Sequence, residues 1–125
     1  MRSLLLIATL IAGVAVADDV AKIEPNALAA RIDRHDTSLV ILDVRSPQEF
    51  AASHIPGAIN IPYDQLPARI VELPNASAQE LVVYCVTGKR AQMAIDRLRE
   101  QGYSRLLHLR GDFQQWQASG LPQQR

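Results

Sequence analysis

The sequence lacks three features that would point to particular classes of protein. It has one cysteine, Cys85, among 125 residues, so no disulfide can form within the chain. Its first largely apolar run, residues 4–17, is 14 residues long, whereas a membrane-spanning helix needs about 20 apolar residues. It has no excess of either charge, since 13 basic residues balance 13 acidic ones. These shortages argue against a disulfide scaffold, a spanning helix, and nucleic acid or an anionic membrane as electrostatic partner.

The first 17 residues are typical of an export signal. Arg2 gives a positive start, residues 4–14 are uncharged, and an Ala-Val-Ala cleavage pattern ends at Ala17. We expect cleavage there, which leaves residues 18–125 as a single domain in the periplasm, without membrane attachment. Retention of the segment as an anchor is the alternative. A lone thiol kept in an oxidising compartment favours a reactive role.

Short apolar runs alternate with helical patterns along the rest of the chain. "LVILD" at 39–43 and "LVVYC" at 81–85 lack the polar alternation of half-exposed strands, so we predict two central strands of a parallel sheet. Shorter runs at 59–61 and 105–109 predict two more. Strands that alternate with helices indicate an α/β fold, with a central, mostly parallel β-sheet and helices on both faces.

Five helical patterns accompany these strands. Pro25 begins the first, the capping box "SPQE" at 46–49 begins the second, residues 66–71 suggest another, and 112–120 form the last. The most regular pattern follows the cysteine, where apolar residues recur at helical spacing: Ala91, Ala94, Ile95 and Leu98. In the last helix, Phe113 and Trp116 are expected to face the core.

Cys85 lies where a central strand ends and a helix begins. Open α/β sheets bind ligands beyond the carboxyl ends of their strands, and backbone N–H groups at a helix start form an anion cradle. These donors, with Lys89 and Arg90, are expected to lower the pKa of the thiol and favour the nucleophilic thiolate. Gly88 fits a sharp turn with positive φ. On position alone, a buried structural cysteine is an equal alternative.

Three segments resemble the rhodanese family of sulfurtransferases. "CVTGKR" at 85–90 fits Cys-x-x-Gly-x-Arg and resembles the active-site loop of that family. "ILDVRSPQEFAASHIPGAINIP" at 41–62 and "LRGDFQQWQASGLP" at 109–122 resemble two further signatures, in the order of the family. One residue departs from the pattern: Asp112 stands where the family often has a second glycine, which we expect to affect a local turn and not the chemistry.

The resemblance to single-domain rhodaneses implies a thiosulfate sulfurtransferase. Cys85 would attack the outer sulfur of thiosulfate, release sulfite and hold a persulfide until cyanide or a thiol accepts the sulfur. The anion cradle would comprise five loop residues: Val86, Thr87, Gly88, Lys89 and Arg90. No metal or organic cofactor is required, no nucleic acid takes part, and a monomer is expected.

Four further residues are expected to support the site: Asp43, Arg45, Glu49 and His54. Arg90 could bind the incoming anion or brace the loop by pairing with Asp43, and the resemblance favours the brace. Arg45 is open between bracing and substrate contact. Glu49 is explained mainly by the capping box, and the resemblance implies that His54 holds a turn near the site. Lys89 either faces solvent or attracts thiosulfate.

Two other functions are compatible with the sequence. Some phosphatases share the rhodanese-like fold, but their loops have five residues between cysteine and arginine, whereas four separate Cys85 from Arg90. The second is a periplasmic persulfide carrier, or a protein-docking module with little turnover of its own. A metal site is not expected, because His35 and His108 have no companion at ligand spacing.

Overall fold

The computed structural model describes residues 3–5, 7, 20–74 and 78–125. Most of the predicted export segment, with its cleavage point at Ala17, lies outside these residues. Among the helices of the described ranges, none is long and apolar enough to cross a membrane.

One sheet of five strands organises the described residues, and all of its strand pairs are parallel. The strands are β1 (Lys22–Ile23), β2 (Leu39–Asp43), β3 (Ile59–Asn60), β4 (Glu80–Tyr84) and β5 (Leu106–Leu109). Their order is β1-β5-β4-β2-β3, so β4 is the central strand. The four predicted strands are confirmed, as is the α/β class. The two-residue β1 was missed, because so short a segment has no recognisable pattern.

Within the described ranges, five α-helices pack around the sheet or connect its strands. They are α1 (Pro25–Asp33), α2 (Pro47–Ala52), α3 (Leu66–Arg69), α4 (Lys89–Glu100) and α5 (Asp112–Ala118). The predicted capping box is present, since the side chains of Ser46 and Glu49 each accept the backbone N–H of the other. The stretch predicted at 66–71 is a short α3 flanked by two 3₁₀ turns, Tyr63–Gln65 and Ile70–Glu72.

Both faces of the sheet are buried, which explains why β4 has no polar alternation. Leu81 and Val83 of β4, followed by Cys85, contribute to a core cluster with the predicted apolar stripe of α4: Ala91, Ala94, Ile95 and Leu98. Val82 and Tyr84 point to the other face, where they join Leu28 of α1 and the two predicted core aromatics of α5, Phe113 and Trp116.

The parallel pairing brings the carboxyl ends of the strands to one edge of the sheet. Asp43 pairs with Tyr84 at the ends of β2 and β4, and Val83 of β4 pairs with His108 near the end of β5. Residues that follow these strands therefore come together, although the chain separates them by tens of positions. The candidate site lies at this edge, beyond the end of β4.

Candidate active site

The sulfur atom of Cys85 lies inside the loop that joins β4 to α4. Two backbone N–H groups donate to it, from Gly88 at 3.1 Å and from Ala91 at 3.3 Å. Only 1% of Cys85 is exposed, so protein surrounds the sulfur. Since α4 begins at Lys89 and has 12 residues, the positive end of its dipole is beside the sulfur. Donors and dipole together stabilise an anion at this position.

Gly88 is needed at the turn of this loop for two reasons. Its φ is +115°, in agreement with the predicted positive value, and side chains rarely adopt such a conformation. A Cβ atom at Gly88 would also lie 2.9 Å from Oδ2 of Asp112 and 3.4 Å from Cε1 of His108. Glycine therefore allows the loop to turn and leaves room for two side chains beneath it.

The first turn of α5 holds the start of the loop. The backbone N–H of Phe113 donates to the carbonyl of Cys85 at 2.9 Å, and that of Gln114 donates to the carbonyl of Val86 at 3.1 Å. The N–H of Cys85 itself donates to Oδ1 of Asp112 at 3.0 Å. The main chain of the cysteine is therefore fixed on both its N–H and its carbonyl side.

Asp112 and His108 are the residues that the sequence reasoning underestimated. The Asp112 carboxylate accepts the N–H of Cys85, and Nε2 of His108 lies 3.0 and 3.1 Å from its two oxygens. The expectation that Asp112 concerns only a local turn is therefore incomplete, because its carboxylate contacts the backbone of the cysteine. The departure from glycine at this position, four residues after a histidine, was the available signal.

Arg90 pairs with Glu49, which corrects the expected pairing with Asp43. Two guanidinium nitrogens of Arg90 bind the two Glu49 oxygens at 2.7 and 3.1 Å. The hydrogen bond from Arg90, with those from Ser46, outweighs burial and lowers the pKa of Glu49 to about 2. Glu49 thus does more than cap α2. Its carboxylate occupies the two-nitrogen fork with which Arg90 could have bound an anion.

Asp43 pairs instead with Arg45, two residues away. Nε of Arg45 lies 3.0 Å from both Asp43 oxygens, and another guanidinium nitrogen lies 2.6 Å from Oδ2. The guanidinium also donates to the carbonyl of Ser53 and lies 4.2 Å from the ring centre of Phe113. Burial opposes its charge, but Asp43 outweighs burial and raises the pKa of Arg45. With 4% exposure, Arg45 braces the interior and is closed off from solvent.

His54 makes contacts within the segment that follows α2. Its Nδ1 lies 2.8 Å from the carbonyl of Phe50, and its ring stacks on the Phe50 ring with centres 3.7 Å apart. Its backbone exchanges two hydrogen bonds with Gln124 near the end of the chain. These contacts fix the turn that leads to β3.

The remaining residues of the predicted cradle lie at its outer side. Thr87 and Lys89 are exposed, and Val86 is partly buried. Their side chains are therefore placed to meet a molecule that approaches the loop from solvent. In the part of the chain that the structure describes, no group of three or more His, Cys, Asp or Glu side chains is placed to hold a metal ion.

Comparison with known proteins identifies the family. The model of the "Rhodanese-like domain" family matches residues 24–119. The chain belongs to this family. This rhodanese-like domain is similar in fold to the crystal structure of the Alr3790 protein from Anabaena sp., with a TM-score of 0.76 and 26% identity, over 82% of this chain and 81% of that one.

Two similar curated proteins carry names that describe sulfur transfer. A protein named "Sulfurtransferase" from Allochromatium vinosum is 38% identical over 102 residues, which cover 81% of this chain and 92% of that protein. The "Thiosulfate:glutathione sulfurtransferase" of Saccharomyces cerevisiae is 33% identical over 100 residues, which cover 71% of this chain and 72% of that protein. The rhodanese-like domain described here thus belongs with sulfurtransferases.

Gly88→Ala should disturb both the fold and the thiol. The new methyl group would meet Asp112 in a backbone conformation that alanine resists, so we expect the free energy of unfolding to fall by about 1–3 kcal/mol and the alkylation rate of Cys85 to change. Gly102→Ala is the matched control, since Gly102 has a φ of +90° with open space around it. Urea unfolding and iodoacetamide alkylation measure the two effects. An equal change in alkylation for both variants would contradict the role given to Gly88.

Glu49→Gln should reduce the dependence of stability on acidic pH. Because the folded pKa of Glu49 is about 2, below the ordinary 4.5, the stability gained from its charge is complete above pH 4.5 and is lost as pH falls towards 2. Glutamine keeps the capping box and removes the charge. Since 34% of the Glu49 side chain is exposed, solvent screening limits the expected loss at pH 7 to about 1 kcal/mol.

Urea unfolding between pH 7 and pH 2.5 measures this dependence. The difference between the wild type and Glu49→Gln should shrink as the solution becomes more acidic. Glu100→Gln is the control, because the Glu100 side chain is 64% exposed and its carboxylate lies 3.9 Å from the guanidinium of Arg97. A wild type–Glu49→Gln difference that stays constant with pH would show that the ion pair does not stabilise the fold.

Proposed function

We propose that this chain is an exported thiosulfate sulfurtransferase that carries sulfur as a persulfide on Cys85. The observation that carries the proposal is the environment of the Cys85 sulfur, which accepts hydrogen bonds from two backbone N–H groups at the start of a 12-residue helix. A site of this kind stabilises a negatively charged nucleophile and, after sulfur transfer, a negatively charged persulfide. Membership in a family that includes sulfurtransferases supports the same chemistry.

The proposed reaction has two displacements at sulfur. The thiolate of Cys85 attacks the outer sulfur of thiosulfate, a new S–S bond forms, and the old S–S bond breaks so that sulfite leaves with its electron pair. Cyanide or a thiolate then attacks the terminal sulfur of the persulfide. The Cys85 thiolate is released, and the product is thiocyanate or a new persulfide. No external oxidant or reductant is needed, because each step exchanges one bond for another.

The pairing of Arg90 argues against phosphatase activity. A cysteine-dependent phosphatase needs its loop arginine to bind two oxygens of the phosphate, whereas the two terminal nitrogens of Arg90 already bind Glu49. The interval of four residues between Cys85 and Arg90 also makes the loop tighter. We therefore expect no hydrolysis of aryl phosphates.

The donor and acceptor are tested with residues 18–125, reduced and then exposed to thiosulfate. Intact mass should increase by about 32 Da, the mass of one sulfur atom, and addition of cyanide should produce thiocyanate and restore the original mass. Glutathione in place of cyanide tests a thiol acceptor, and an aryl phosphate tests the phosphatase alternative. Cys85→Ser should show neither the adduct nor turnover.

The results separate the alternatives. Equal thiocyanate production by wild type and Cys85→Ser would refute the mechanism. Aryl phosphate hydrolysis that depends on Cys85 would identify a phosphatase. A stable adduct that neither cyanide nor glutathione removes would identify a sulfur carrier that needs a protein acceptor.

Export is proposed from the sequence of residues 1–17. If the full chain is expressed in a Gram-negative host, the protein in the periplasmic fraction should have the mass of residues 18–125. Replacement of Ala17 by a bulky residue should block processing at the small-residue cleavage pattern. Recovery of the unprocessed chain in the cytoplasm alone would exclude export, and its recovery with membranes would indicate an anchor.

A further inference from the structure

Asp112 combines a buried carboxylate with a left-handed backbone conformation at the start of α5. Its φ is +55°, in the left-handed region that glycine adopts freely, aspartate and asparagine tolerate, and most other residues resist. Its carboxylate is buried, with 2% of the residue exposed, and burial of a charge is unfavourable unless hydrogen bonds compensate for it. It is also the first residue of α5 and lies next to the Cys85 loop. A glycine would adopt this conformation without burying a carboxylate, so the hydrogen bonds of the Asp112 side chain must compensate for its burial.

The contacts of the carboxylate indicate that purpose. Oδ1 accepts the backbone N–H of Cys85 at 3.0 Å, while the next residue, Phe113, donates its own N–H to the Cys85 carbonyl at 2.9 Å. The main chain of the cysteine is thus held between a side chain and a backbone group of consecutive residues. The backbone donor is present for any residue at position 113 except proline, whereas the acceptor depends on the side chain at 112.

His108 holds the carboxylate in place. Its Nε2 lies 3.0 and 3.1 Å from the two Asp112 oxygens, and its side chain is 12% exposed. His108 belongs to β5, so the sheet fixes its position. Both side chains also lie beside Gly88, because a Cβ atom at that position would be 2.9 Å from Oδ2 of Asp112 and 3.4 Å from Cε1 of His108. Gly88 is one of the two residues whose N–H donates to the sulfur.

We propose that Asp112, supported by His108, is a positioning residue that sets the reactivity of Cys85. By fixing the N–H of the cysteine, the carboxylate holds the sulfur in register with its two backbone donors at Gly88 and Ala91. Loss of this anchor would let the start of the loop shift, and the donors would then stabilise the sulfur anion less well. The proposal concerns reaction of the thiol with any electrophile, so it does not depend on thiosulfate as the donor.

The test compares Asp112→Asn with Asp112→Gly. Both substitutions remove the negative charge, and both residues tolerate a φ of +55°. Only asparagine keeps an oxygen that can accept the N–H of Cys85. Since neither variant is charged at this position, a difference between them does not come from the charge. Asp33→Asn, which removes an exposed carboxylate from α1, is the matched control and should behave like the wild type.

The readout is the rate of alkylation of Cys85 by iodoacetamide as a function of pH. We expect the pH of half-maximal rate to be about one unit higher in Asp112→Gly than in Asp112→Asn, which corresponds to a tenfold smaller fraction of thiolate. The other titratable or charged groups near the loop are the same in the two variants: Lys89, Arg90, Glu49, Asp43, Arg45 and His108. Equal half-maximal pH values, or a lower value in the glycine variant, would overturn the proposal.

Two further measurements keep the test decisive. Urea unfolding shows whether each variant folds, and hydrogen exchange of the Cys85 amide should be slow in the wild type and Asp112→Asn and faster in Asp112→Gly. If Asp112→Gly does not fold, His108→Gln and His108→Leu replace it, since both lose the imidazole and only glutamine can still donate to Asp112. The leucine variant should then have the higher half-maximal pH, and equal values would refute the proposal.

These results are independent of the proposed sulfur transfer. If thiocyanate is not formed but the two Asp112 variants differ in alkylation, the positioning role stands and the sulfurtransferase proposal fails. If thiocyanate is formed and the two variants do not differ in alkylation, the sulfurtransferase proposal stands and the positioning role fails.

Discussion

The hydrogen bonds that pair β4 with β2 on one side and with β5 on the other determine where the cysteine lies. Because the three strands are parallel, the residues that follow them meet at one edge. Cys85 follows β4, Arg45 follows β2, and Asp112 follows β5. The interior ion pair of Arg45 with Asp43 and the carboxylate of Asp112 therefore lie near the start of the loop, although they are distant from it in the sequence.

The site separates the task of binding an anion from the task of supporting the loop. Backbone N–H groups of Gly88 and Ala91 face the sulfur, whereas both nearby arginines are engaged by carboxylates. Arg45 binds Asp43 in the interior, and Arg90 binds Glu49 closer to the surface. Backbone donors are fixed by the fold and need no rearrangement when charge develops on sulfur. Backbone donors of this kind can stabilise a charge on sulfur, whereas a bound phosphate group would need an arginine whose two terminal nitrogens are free.

Glu49 shows how one residue can connect local and long-range structure. It completes the capping box of α2 with Ser46, a contact between residues three positions apart. The same carboxylate reaches Arg90, 41 positions away, and so links α2 to the first turn of α4. The capping box was predicted from the sequence, because a Ser-Pro-x-Glu pattern has a local physical cause. The partner of Arg90 was not, since Asp43 and Glu49 are both acidic and both precede the loop.

The amino-acid sequence by itself determined four of the five strands, the helical segments and the position of the candidate nucleophile. Unbroken apolar runs predicted β2 and β4, the helical spacing of apolar residues predicted α4, and the single cysteine between them marked the loop. These signals are local, because strand and helix periodicity arise from the geometry of the backbone. The motif spacing around Cys85 also pointed to the correct family.

Only the tertiary structure decided which charged groups meet around the loop. The pairing of Arg90 with Glu49, the burial of Arg45 against Phe113, and the contact of Asp112 with the N–H of Cys85 all join separate elements. Each depends on the distance and direction between side chains on different strands and helices, and sequence spacing carries no such information. Asp112 is the clearest case. As a departure from glycine it was expected to affect only a local turn, and only the packing of α5 beside β4 and β5 made its carboxylate the acceptor of the Cys85 N–H.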